Sequence, residues 1–70
     1  MTRKRKPDVV IRDEGSLLLF DLRTEQAREW VEEHVAEDAQ RYGRALVVEH
    51  RYAGELTDGM AEAGLTVELS

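Results

Sequence analysis

Cysteine is absent from this 70-residue chain, which excludes a disulfide staple and any thiolate metal site. A reducing compartment fits that absence, and a cytoplasmic location is expected. Long apolar runs are missing too: none approaches the roughly 18–20 residues a membrane-crossing helix needs. The basic start leads into no secretory signal core, because Val9-Val10-Ile11 is stopped at once by Arg12-Asp13-Glu14. Proline occurs once, and the aromatics are only Phe20, Trp30, Tyr42 and Tyr52. Large side chains for a core are therefore few, in a chain of a size that buries only about 60% of its unfolded surface. A partner or a second copy would add what such a core lacks. The five glycines, at 15, 43, 54, 59 and 64, never cluster, so no phosphate-cradling loop is present.

Acidic charge is abundant, although the formal net charge of −5 understates it. Arg3, Lys4, Arg5 and Lys6 place four of the ten basic residues in the first six positions. From Pro7 onward six basic side chains face fifteen acidic ones, a net of −9. A body of that sign repels phosphate backbones, which leaves only the cationic tail to touch nucleic acid. Residues 1–7 are expected to be a disordered basic tail and residues 8–70 a single small α/β-type domain.

Residues 8–12 carry three consecutive β-formers, and residues 16–20, SLLLF, form a second short apolar run. Asp13-Glu14-Gly15 between them has the composition of a hairpin turn, with Gly15 suited to positive φ. Thr24 is the expected N-cap of a first helix, with Glu25 in its first turn. At about 100° per residue, Ala27, Trp30, Val31, His34 and Val35 share one face, and the helix should end near residues 37–40. Arg41-Tyr42-Gly43-Arg44 then reads as a loop, and residues 45–48, ALVV, as a third strand.

That third strand passes almost without a linker into a second helix over residues 51–63, the arrangement of half a βαβ unit. Tyr52, Ala53, Leu56, Gly59, Met60 and Ala63 form its inner face, and a mid-face glycine implies a close approach of the helix backbone to the sheet. Gly64 is a good stop. Residues 65–69, LTVEL, alternate as an edge strand does. Right-handed crossovers would make strands two, three and four parallel. The expected fold is α+β: a two-layer β-β-α-β-α-β arrangement, with a four-stranded mixed sheet in the order 1-2-3-4 and two helices packed on one face.

Such a sheet leaves one apolar face bare. Either Leu17 and Leu19 or Leu18 and Phe20 have no helix above them, and periodicity alone does not choose. Val10, Leu18, Phe20 and Val47 are the candidate interaction face. Arg41, Tyr42, Arg44 and Arg51 are candidate anion or partner contacts; the alternative is that the arginines balance neighbouring acids and Tyr42 packs at the core edge.

Signals for catalysis are sparse. His34 falls on the apolar face of the first helix, where a partly buried imidazole with one hydrogen bond is the plain reading. His50 starts the second helix, either capping it or simply exposed. Zinc needs at least three good ligands, and beyond these two histidines only carboxylates such as Glu37, Asp38 or Glu49 are at hand. The pairs Asp13/Glu14, Glu32/Glu33 and Glu37/Asp38 read as solvated surface. No serine or threonine sits in a nucleophile elbow. Neither an enzyme nor a cofactor is expected.

With residues 42–65, YGRALVVEHRYAGELTDGMAEAGL, in view, the chain resembles a family of short bacterial proteins of unknown function over nearly everything after Pro7. The shared features are a glycine-containing hairpin before an apolar run (Gly15 to Phe20) and a threonine-capped helix with a central tryptophan (Thr24 to Trp30). The A-L-V-V-E-x-R-Y stretch at 45–52 and the G-M-x-x-x-G-L ending at 59–65 complete them. The resemblance implies an accessory gene of bacteria, or of their phages and mobile elements. It implies no activity, so no functional residue is carried over. The leading expectation is a small non-enzymatic protein-interaction module that forms a homodimer or binds one protein partner. The alternatives are a nucleic-acid-associated regulator acting through Arg3, Lys4, Arg5 and Lys6, and an acidic inhibitor or nucleic-acid mimic.

Overall fold

The computed structural model describes residues 6–35 and 39–70. Arg3, Lys4 and Arg5 of the basic tail lie outside the described residues, and Lys6 is exposed. The chain is an α+β fold with a mixed sheet and two helices.

Strands β1 (Val9–Asp13) and β2 (Leu17–Leu22) form an antiparallel hairpin, with Val9 opposite Leu22 and Asp13 opposite Leu18. Gly15 closes its turn at φ 93°, a geometry that strains any residue with a Cβ. The Gly15 amide donates to Asp13 Oδ1 at 2.8 Å. Helix α1 (Glu25–His34) starts at the expected cap, where Thr24 Oγ1 accepts the Ala27 N–H at 3.2 Å. It ends earlier than its periodicity indicated: Val35 is already extended, and only Ala27 and Val31 are buried along it. Residues 36–38 lie outside the described residues.

The sheet has five strands where four were expected. The additional one is β3 (Arg41–Tyr42), a two-residue strand in the segment read as a loop. It pairs antiparallel with β4 (Ala45–Glu49) across a tight turn at Gly43, whose φ is 61°. That turn reverses the chain, so β4 runs antiparallel to β2, with Asp21 opposite Ala45 and Leu17 opposite Glu49. The expected parallel pairing of the second and third apolar strands is thereby corrected: a short hairpin between α1 and β4 reverses the direction in which β4 crosses the sheet.

Helix α2 (His50–Glu62) succeeds β4 without a linker. Its end is a Schellman motif: the Leu65 N–H bonds the Met60 carbonyl at 2.9 Å and the Gly64 N–H bonds that of Ala61 at 3.0 Å. Gly64 supplies the positive φ of 89°. Strand β5 (Val67–Leu69) then pairs parallel with β1, and the order across the sheet is β3-β4-β2-β1-β5. The strands before and after α2 run the same way, as expected of a βαβ unit, but β2 and β1 lie between them. The order 1-2-3-4 fails because β3 already occupies the outer edge of β4, leaving the free edge of β1 for the last strand.

Asp8 fastens that edge. Its buried carboxylate accepts from Thr24 Oγ1 at 2.7 Å through Oδ1 and from the Thr66 N–H at 2.8 Å through Oδ2. The Thr66 carbonyl in turn accepts the N–H groups of Asp8 and Val9. One side chain thus joins the starts of β1, α1 and β5.

The core gathers alternate strand residues: Val9 and Ile11, Phe20 and Leu22, Leu46 and Val48. Ala27 and Val31 of α1 and Met60 of α2 complete it, with Trp30, Leu18, Leu56 and Val67 packed alongside. Tyr52 and Ala63, expected on the inner face of α2, are exposed. Gly59 does allow a close approach, but of the two helices: a Cβ there would lie 3.0 Å from Trp30 Cζ2.

Candidate interaction face

Residues paired across a sheet share a side, so the register identifies what lies opposite the core. One row across the sheet runs Glu68, Val10, Asp21, Ala45, Tyr42, and the next runs Arg12, Leu19, Val47. Leu17 opposite Glu49 begins a third. The apolar members Val10, Leu17, Leu19 and Val47 are absent from the core cluster. Val10 and Val47 therefore lie on the side opposite the core. Leu18 and Phe20 do not: they turn to the core side, with Phe20 fully buried. The reason is strand length, because β2 runs two residues past Phe20 to Leu22. That extension continues the set 18-20-22 with an apolar residue and the set 17-19-21 with Asp21.

Asp21 lies between two arginines on this outer side. Arg44 Nε donates to Oδ1 at 2.8 Å and Arg23 Nε to Oδ2 at 3.0 Å. The Arg44 hydrogen bond is the main cause that holds the Asp21 carboxyl below its ordinary pKa; partial burial opposes it and Arg23 adds to it. Arg44 is thus engaged within the chain. Arg51 is engaged as well, donating to Glu49 Oε1 at 3.0 Å with its guanidinium 4.9 Å above the Tyr52 ring. Arg41 is exposed on β3. The four candidate contacts do not converge on one anion.

Tyr42 is 72% exposed at the sheet edge. Beside it a hollow of about 340 Å³ opens, lined by Ser16, Leu17, Leu19, Gln40, Tyr42 and Val47 among others. A larger hollow of about 600 Å³ is bordered by Val35, Leu46, Tyr52 and Leu56.

No family model matches this chain, and no curated protein or solved structure matches it either. Function is therefore to be read from this geometry.

Neither histidine enters a site. His34 is exposed rather than partly buried, because α1 stops there. Its Nδ1 donates to the Trp30 carbonyl at 2.9 Å, and its ring stacks on the Trp30 indole at 4.4 Å. His50 Nε2 donates to the Gly15 carbonyl at 2.8 Å, tying the start of α2 to the β1–β2 turn. Among the described residues no three histidine or carboxylate side chains gather as metal ligands, and no helix is long and apolar enough to cross a membrane.

Sequence reasoning missed Asp8, Asp21 and the placement of Tyr42. Asp21 had a readable signal: it lies two residues from Arg23 in extended backbone, a spacing that places both on one side. Asp8 had none, since its partners Thr24 and Thr66 lie 16 and 58 residues away.

Proposed function

We propose that this chain is a small non-enzymatic protein-interaction module that self-associates through the outer side of its sheet. Ala27 and Val31 of α1 and Met60 of α2 all join the core cluster, which supports a reading in which, among the described residues, both helices cover the core side and none covers the outer side. The observation that carries the reading is the apolar group Val10, Leu17, Leu19 and Val47, which stays outside the core cluster, with Leu17, Leu19 and Val47 bordering a hollow. Leu17 is 36% exposed. Apolar patches rimmed by polar groups are the usual form of a docking surface.

Of the sides a second copy could meet, charge favours the sheet over the helices. Helices α1 and α2 carry seven acidic residues against Arg28 and Arg51, whereas the described strands and turns from Pro7 onward carry six against four arginines. Two acidic chains therefore meet with least mutual repulsion sheet to sheet. Sedimentation equilibrium at micromolar concentrations should give a dimer, with a melting temperature that rises with protein concentration. A monomer at high micromolar concentration with concentration-independent melting would overturn the reading.

A further inference from the structure

We infer that Tyr42 is the anchor of that self-association, each ring seated in the outer-side hollow of the other copy. The inference rests on the sheet-to-sheet reading and adds the residue that determines it. Of the four aromatic side chains, Phe20 is in the core and Trp30 packs against it. Tyr52 lies under the Arg51 guanidinium. Tyr42 alone lies on the outer side, opposite Ala45 and at the end of the row that crosses all five strands.

Its backbone is held on both sides. Gly43 holds a tight turn at φ 61°, and the Gln40 carbonyl accepts the Val47 N–H at 3.0 Å, so the two-residue strand is tied on both sides of Tyr42. A tyrosine has few torsions to immobilise, and a large ring with a polar tip is the side chain most often found to dominate binding. The hollow beside it is lined by Leu17, Leu19 and Val47, apolar contacts for such a ring, with Glu14, Ser16, Gln40 and Arg41 as polar lining at hand for the hydroxyl. In a two-fold arrangement the same ring and the same hollow recur on both copies, so the contact is made twice.

The test compares the full chain with Tyr42→Ala, Tyr42→Phe and Leu19→Arg by sedimentation equilibrium, with melting at high dilution as the check on folding. Tyr42→Ala should raise the dimer dissociation constant at least tenfold without lowering the melting temperature of the dilute protein. Tyr42→Phe should stay within about threefold of the parent, and Leu19→Arg should give a monomer. If Leu19→Arg is monomeric while Tyr42→Ala dimerises within twofold of the parent, the anchor is refuted and the outer face stands. If Leu19→Arg dimerises like the parent, or the parent is itself a monomer, the face fails and the anchor with it.

Discussion

Asp8 and Asp21 are both tied to more than one element, but they act in different ways. Asp8 is buried and supplies acceptors to Thr24 and to the Thr66 N–H. Asp8→Ala removes both and leaves a part-buried amide without its partner, which should cost about 2 kcal/mol in urea unfolding. Asp8→Asn should cost less, because its amide oxygen can still accept from Thr66 while its NH₂ turns to the Thr24 oxygen. Asp21 instead faces outward between Arg44 and Arg23, and Arg44 keeps its carboxyl charged to lower pH than usual. A depressed folded-state pKa stabilises the fold above the ordinary aspartate value of about 3.9, and that contribution is lost as pH falls through the lower folded value. Melting temperature should therefore fall as pH drops from about 5 to 3, and less steeply in Asp21→Asn than in the parent. Equal slopes would mean that the two arginines do not hold Asp21 in solution.

At the scale of elements, the two glycines of α2 separate propensity from packing. A Cβ at Gly54 meets nothing within 4 Å, whereas one at Gly59 meets Trp30 Cζ2 at 3.0 Å. Gly54→Ala should raise stability by up to about 1 kcal/mol in denaturant melts, since alanine only improves helix propensity there. Gly59→Leu should lower it by more than about 1 kcal/mol, because the side chain must displace the indole. Thr24→Ala should cost about 1 kcal/mol through loss of the α1 cap. The cap, the β1–β2 hairpin and the glycine stop of α2 were legible in the sequence because each is set by residues within a few positions. Strand β3 was not, since Arg41 and Tyr42 have no apolar alternation and become a strand only by pairing across the Gly43 turn. Strand order was not legible either: it comes from that hidden reversal and from which edge of β1 remained open. The side of the sheet opposite the core lay between these cases. Leu17, Leu18, Leu19 and Phe20 carry no alternation of their own, and the choice came from Asp21 and Leu22 just beyond them.

For the whole molecule, the division of charge between helices and sheet has a measurable effect. Within α1, Glu25 and Glu29 are four apart, as are Glu29 and Glu33; in α2 so are Asp58 and Glu62. Like charges at that spacing destabilise a helix, and salt screens them with a Debye length of about 10 Å at 0.1 M. Melting temperature should therefore rise as sodium chloride is increased from about 10 mM to 0.5 M at neutral pH. A fall would mean that the Asp21 and Glu49 ion pairs outweigh the crowded helices. The pairing of β1 with β5 bears on time as well as on stability. The Asp8 to Thr66 bond spans 58 positions, so while a ribosome makes this chain the first strand emerges early and its outer edge has no neighbour until residues 66–69 emerge. The β1–β2 hairpin can close at once, but the sheet is completed only after α2 has been released, and the nascent chain carries a bare strand edge throughout that interval. The charged residues Arg12, Asp13 and Glu14 at the end of that edge are well placed to keep it from pairing with other chains in the meantime.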